Sequence, residues 1–420
     1  MKTVISLFIF FIAASSAVWA SGPLTLSDAQ RLALDNHPSL KPFTPALNAQ
    51  EGLIQQAGLG PSPELEFEAE NFLGSGEFQT FGGIETTLGV SQTFETAGKL
   101  EKRIDVANRE KDIALNEYDI ARLRVLHETT QAFIDVLVAQ ERLEFEESFF
   151  SVSQKIFETI QISVEAGRDS PIEETRAKVM VSSSQIGLNR ATMQVKKAYQ
   201  ALAFQWGAPA HDEYRIQGAL LPLPAPLGLD ELQRKIINHP GYVRSQSIIA
   251  QRESTLNLET AKATPDFTLG AGVRYLSDVD DGSFVAQFSI PLPFRNRNQG
   301  AIRAVQERKS QAEAELLQTE FEMRSQLEQL YMDYLQSRDE AETLQSGILP
   351  IAQQAFESAE EGYRQGKFAY LSVLDAQRSL FELQVQLLDS AADVHQLVND
   401  INQITANYDL LNTHQKETTK

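Results

Sequence analysis

The chain spells nearly the same passage twice. "LTLSDAQRLALDNHP" from Leu24 aligns with "LGLDELQRKIINHP" from Leu227, placing Leu26 over Leu229, Gln30 over Gln233 and Arg31 over Arg234, with one gap before Asn36. The two halves stay in step beyond that point. "PELEF" at Pro63 precedes "PDFTL" at Pro265 by 202 residues, Gly98 precedes Gly300 by the same offset, and "EAGRDSPIEETRAK" at Glu165 matches "RQGKFAYLSVLDAQ" at Arg364, with Gly167 over Gly366. Between the halves lies "GALLPLPAPLG", whose prolines cannot donate to a helix or a ladder. The expected organisation is a first repeat over 21–217, a linker over 218–228, a second repeat over 229–411 and a flexible tail over 412–420.

Each half carries two stretches of period-two alternation, the signature of a half-buried strand. Leu65, Phe67 and Ala69 alternate with Glu64, Glu66, Glu68 and Glu70, and Ile84, Thr86, Leu88, Val90 and Phe94 form the second apolar track. In the other half the tracks are Phe267, Leu269, Ala271, Val273, Tyr275 and then Phe284, Ala286, Phe288, Ile290, Leu292. About ten tilted residues cross a bilayer, but four strands cannot close a barrel, and an open edge in lipid leaves backbone groups unpaired. If these strands span a membrane, the chain must oligomerise.

A long helix follows each strand pair. Gly98 to Ala166 contains no proline and no internal glycine, and Leu100, Ala107, Ala114 and Ala121 recur every seven residues. Ile302, Val305, Ala312, Leu316, Met323, Leu327, Leu330 and Tyr334 keep a similar seam until Pro350, where a bend is expected. Such spacing winds helices against helices, and each long stretch spans on the order of 100 Å at ~1.5 Å per residue. The return helices expected over 172–206 and 371–411 are shorter. The helices preceding the strands, 46–59 and 241–263, make up the difference if stacked end to end with them.

Residues 1–20, "MKTVISLFIFFIAASSAVWA", read as a secretory signal peptide cleaved after Ala20: one lysine, an apolar run too short to span a bilayer, and small residues framing the site. The sequence has no cysteine, which excludes disulfides, thiolate metal sites and an acylated cysteine. With 57 acidic against 37 basic residues the net charge of −20 argues against a nucleic-acid partner. His37 and His239 each precede a proline at a helix end and read as caps. His127, His211, His395 and His414 have no ligand spacing. No metal site, cofactor motif or catalytic motif is expected.

The duplicated layout, and above all "YRQGKFAYLSVLDAQRSL" from Tyr363 to Leu380, resembles the TolC-type outer-membrane efflux proteins over essentially the whole mature chain. "PELEFEAEN", "SQTFETAGKLEKR" and "IPLPFRNRNQG" resemble the family's heavy-metal branch. The resemblance implies a mainly α protein with a membrane β-barrel portion. Three copies would form a 12-stranded barrel in outer-membrane lipid, joined to a long periplasmic α-helical barrel. The implied partners are a periplasmic membrane-fusion adaptor and an inner-membrane RND pump, with heavy-metal cations as cargo. By position, Asp375 matches the family's acidic constriction, Glu173 and Glu174 are its candidates in the first repeat, and Ser372 stands where some members have another aspartate. Gly167, Arg168, Arg364, Gly366, Lys367 and Leu371 would form the adaptor-binding tip. An outlet for drugs or type I secretion shares the layout. A periplasmic coiled-coil adaptor is the rival from another class, though it calls for one helical hairpin where this chain has two.

Overall fold

The computed structural model describes residues 23–79, 81–208, 216–409 and 411. The expected signal peptide and tail, with His211 and His414, lie outside the described residues. The first repeat runs α1 (Leu26–Asn36), α2 (Phe43–Ala57), β1 (Glu64–Glu70), β2 (Glu85–Phe94), α3 (Lys99–Glu165) and α4 (Pro171–Phe204). The second runs α5 (Leu229–Lys235), α6 (Pro240–Lys262), β3 (Phe267–Leu276), β4 (Asp281–Ser289), α7 (Gln299–Thr343), α8 (Leu349–Arg364) and α9 (Tyr370–Ile404).

The doubled "NHP" ends one helix and starts the next. The imidazole Nδ1 of His37 accepts the Ser39 N–H at 3.2 Å, and that of His239 accepts the Gly241 N–H at 3.0 Å. Pro38 and Pro240 then occupy first-turn positions, where a missing donor costs nothing. Burial holds the His239 pKa down at about 4, so its ring stays a neutral acceptor at ordinary pH.

Helical packing follows the seven-residue seam. Val373, Leu380, Leu387, Val394 and Ile401 of α9 are all buried, as are Val305, Ala312, Leu327, Tyr334 and Ala341 of α7. Fully burying a side chain the size of Leu327 contributes roughly 1.5–3 kcal/mol. The proline-rich linker is strapped across this bundle. Leu220 is fully buried and its N–H donates to Glu141 at 3.1 Å, Arg338 donates to the Pro224 carbonyl at 2.6 Å, and Tyr331 donates to the Leu227 carbonyl at 3.1 Å. Linker backbone that lacks a ladder thus finds partners in side chains from both repeats.

Three expectations are corrected. The last helix ends at Ile404, well short of Leu411, because Ala406 turns left-handed at φ +49°. Strand β4 ends at Ser289, since Pro291 and Pro293 beyond it cannot donate to a ladder. The structural counterpart of Gly98 is Asn298, not Gly300, because these two residues are the left-handed caps of α3 and α7 (φ +66° and +60°). Just ahead of Pro350, where the sequence leads one to expect a bend, the helix widens into a five-residue π turn over Leu344–Ile348. A wider turn spares the proline ring its clash with the carbonyl four residues back.

The strands form one antiparallel sheet in the order β1-β2-β3-β4, with β1 and β4 at its edges. Its register sets Phe67, Leu88, Val273 and Phe284 in one row and Glu66, Gly89, Gly272 and Val285 in the next. One face is therefore mainly apolar, and the other carries the glutamates of β1.

Candidate functional site: the exposed sheet and the hairpin tips

The apolar face of the sheet is open to the surroundings. Phe284 is 94% exposed, Leu65 74% and Phe67 71%, a density of bare apolar side chains that a water-facing sheet does not carry. Phe94 stacks on Phe267 at 5.3 Å, and Phe267 packs against Phe288 at 6.2 Å, so aromatic rings cluster where the strands meet the helices. The opposite face carries Glu64, Glu66, Glu68 and Glu70 of β1. There Ser91 donates to Glu66 at 2.6 Å, while Arg274 reaches Glu85 at 3.1 Å and Glu70 at 3.4 Å. Among the described residues no helix is long and apolar enough to cross a membrane.

At the far end of the helices the chain makes the same turn twice. The N–H of Gly167 donates to Val164 O at 2.9 Å and that of Arg168 to Ser163 O at 2.9 Å; in the second repeat Gly366 donates to Tyr363 O at 2.8 Å and Lys367 to Gly362 O at 2.8 Å. Both glycines sit near φ +70°, the left-handed C-terminal cap that a residue with Cβ resists. Extended backbone at Ser170 and Ala369 then launches the return helices.

The two tips are joined to each other. Ile160, Ala177, Ala359, Tyr370 and Val373 form one buried cluster drawn from all four helices. Above it the Tyr363 hydroxyl donates to the Asp169 carboxylate at 2.5 Å, crossing from one repeat to the other. Burial, reinforced by Asp169, pushes the Tyr363 phenol up to about 12, and burial with the charge of Glu173 does the same for Tyr370. Both phenols therefore stay neutral at physiological pH, and Tyr363 keeps its proton to donate.

Of the sequence-derived tip residues, Gly167, Arg168, Arg364, Gly366, Lys367 and Leu371 are all exposed at the turns. Arg364 also pairs with Glu361 at 3.4 Å. Asp375 lies on α9 on the side away from the buried Tyr370, Val373, Gln377 and Leu380, is exposed, and forms no ion pair among the described residues. Arg378, one turn on, is bound to Glu382 at 2.7 Å. Its pKa is raised mainly by Glu382, with Asp375 adding to the effect. Glu173 is not grouped with Asp375: it is partly buried beside Tyr370 and pairs with Arg176 at 3.2 Å. Glu174 is partly buried in the same turn. Sequence reasoning missed Tyr363 and Asp169, whose partnership spans 194 positions, and the exposed Phe368 and Ile172 beside the turns. Among the described residues no group of three or more His, Asp or Glu is placed to hold a metal ion.

The chain thus combines one four-stranded sheet, apolar on one face and unpaired at both edges, with a long helix on the order of 100 Å. The sequence matches the family described as Outer membrane efflux protein over residues 30–208 and 238–407, and the chain belongs to that family. It is 30% identical to the cobalt-zinc-cadmium resistance protein CzcC of Cupriavidus metallidurans, over 92% of this chain and 90% of that one. It is 24% identical to the probable outer membrane lipoprotein SilC of Salmonella typhimurium, over 86% of this chain and 77% of that one. The outer membrane protein VceC of Vibrio cholerae shares the fold, with a TM-score of 0.73 at 20% identity, covering 90% of this chain and 95% of that one. Family membership makes the chain a component of outer-membrane efflux and not an enzyme.

Proposed function

We propose that three copies of this chain form the exit duct of a tripartite efflux system for heavy-metal cations. The observation that carries the reading is the four-stranded sheet with a bare apolar face and two unpaired edges. Three such sheets joined edge to edge give 12 strands, a closed barrel whose apolar faces meet lipid and whose glutamate-bearing faces line the lumen. The helices continue the tube into the periplasm. The exposed tips, with Arg168, Lys367 and Leu371, receive a membrane-fusion adaptor and, through it, an RND pump. Asp375, repeated three times around the axis, supplies the acidic constriction, with Glu174 behind it; Glu173, already paired with Arg176, contributes less. Residues 1–20 are removed on export, and the mature chain carries no lipid. The similarity to CzcC supports the choice of divalent metal cations as cargo.

Light scattering of detergent-extracted protein should give three chains per particle; a monomer would end the barrel reading. Deleting the gene should sensitise cells to cobalt, zinc or cadmium salts while leaving tolerance of organic drugs unchanged. The opposite pattern would assign the duct to drug efflux. Intact mass should begin at Ser21 with no added acyl chain.

A further inference from the structure

The junction where strands turn into long helices occurs twice in the chain, and only one copy of it is complete. In the first repeat the Thr96 N–H donates to Asp266 Oδ1 at 2.8 Å, and the buried Lys99 ammonium reaches the same oxygen at 2.6 Å and the Thr264 carbonyl at 2.7 Å. This ties the exit of β2 to the entry of β3. Phe94, just before it, stacks on Phe267. The repeat supplies a counterpart for each member. Asp266 and Phe267 correspond to Glu64 and Leu65 through the match of "PDF" with "PEL"; the paired caps Gly98 and Asn298 set Phe94 over Phe294 and Thr96 over Asn296.

In the second junction every counterpart is exposed. Leu65 is 74% and Phe294 80% exposed, and Glu64, Arg295, Asn296 and Arg297 are exposed too. Glu64, Arg295 and Arg297 form no ion pair among the described residues. Glu64 and Leu65 sit on the outer edge strand β1, whereas Phe294 to Arg297 follow the opposite edge strand β4. Across a four-stranded sheet those edges are about 14 Å apart, at ~4.8 Å per strand spacing. One chain cannot bring them together, but a second copy placed edge to edge can.

We propose that Glu64 of one copy docks on the Arg295–Asn296–Arg297 turn of the next. It accepts the Asn296 N–H as Asp266 accepts that of Thr96, while the neighbour's Phe294 covers Leu65. The lysine of the first junction has no basic counterpart at Gln299; the two arginines flanking Asn296 carry the positive charge instead. The inference rests on the trimeric barrel and names the contact that closes each of its three seams.

Because the sequence contains no cysteine, Glu64→Cys with Asn296→Cys introduces one clean pair. Mild oxidation of the detergent-extracted double variant should give covalent dimers and trimers on a non-reducing gel, with neither single variant forming the trimer. Thr96→Cys with Asp266→Cys, which should link within one chain, verifies that oxidation works. If the double variant does not assemble, charge reversal decides: Glu64→Arg should raise trimer dissociation by about ten-fold at low salt, and adding Arg295→Glu and Arg297→Glu should restore it. A trimeric wild type whose cysteine pair stays unlinked would overturn the contact and leave the barrel standing, as would charge reversal without effect where the pair does not assemble. A monomeric wild type would overturn both.

Discussion

Tyr363→Phe removes one hydroxyl and leaves the ring in place against Tyr370, so it isolates the hydrogen bond that joins the two tips of a protomer. That bond runs from a neutral phenol to a carboxylate at 2.5 Å. Hydrogen bonds to charged groups contribute roughly 1.5–3 kcal/mol. Tyr363 and Asp169 are only partly buried, and the freed carboxylate can return to water, so about 1 kcal/mol per protomer is the expected loss. In the proposed trimer, if opening separates the hairpins of all three protomers together, a closed state that holds this bond would lose about 3 kcal/mol, a shift on the order of a hundredfold in the ratio of open to closed channels. Single-channel recording in planar bilayers should show a large rise in open probability. Asp169→Asn should behave similarly, and the double variant should add little to either. The phenol pKa, raised from its ordinary value of 10.0 to about 12, sets the pH window. The contribution is fully present below pH 10 and is lost as pH rises toward 12. A correctly assembled Tyr363→Phe channel with wild-type open probability would refute the assignment of this bond to the closed state.

Three further outcomes follow from the same geometry. His239, held neutral with its pKa near 4, contributes stability that is present above pH 6.5 and lost as pH falls toward 4. The loss is at most about 3 kcal/mol at 1.36 per pKa unit, and His239→Asn should keep the cap while flattening the thermal-melting profile over that window. Lys99→Met leaves Asp266 without its ammonium in a mostly buried junction, so a destabilisation of about 3 kcal/mol is expected in chemical unfolding, with the Thr96 bond retained. Asp375→Ala should lower cation selectivity and shift block by divalent cations without changing assembly, most visibly at low salt, where the Debye length exceeds ~10 Å; unchanged selectivity would move the constriction elsewhere.

Legibility tracked the range of each interaction. Strand faces and helix seams were readable because period two and period seven are local, and the tip turns because glycine is needed at φ near +70°. The caps at His37 and His239 were readable for the same reason: donor and acceptor lie two residues apart. What could not be read depends on partners far away in sequence. Glu173 and Asp375 look alike as acids near a helix start. Only the fold sets Glu173 beside Tyr370 and Arg176 and leaves Asp375 on the outer side of α9. The early end of α9 was hidden because Leu411 continues an apolar pattern that a left-handed Ala406 interrupts. Matching glycine to glycine misaligned the sheet junction by two residues, since asparagine can occupy the left-handed cap as well.

Duplication followed by divergence distinguishes contacts made within a chain from contacts available to another. The two tip turns have the same backbone, yet Asp169 corresponds to Phe368 and Tyr363 to Val164, so the hydroxyl-to-carboxylate bond exists in only one of the two possible arrangements. Gly362, the counterpart of Ser163, has no room for a Cβ because the Phe368 ring lies against it, which fits the second tip to an apolar packing the first does not use. At the sheet junction the same logic holds with charge: Asp266 is satisfied inside the protomer, whereas Glu64 and the two arginines remain open at opposite edges. Substitution at the internally satisfied member should therefore lower the stability of the single chain. Substitution at its open counterpart should act only through assembly. That separation can be measured by comparing unfolding of the chain with dissociation of the oligomer for Asp266→Ala and Glu64→Ala.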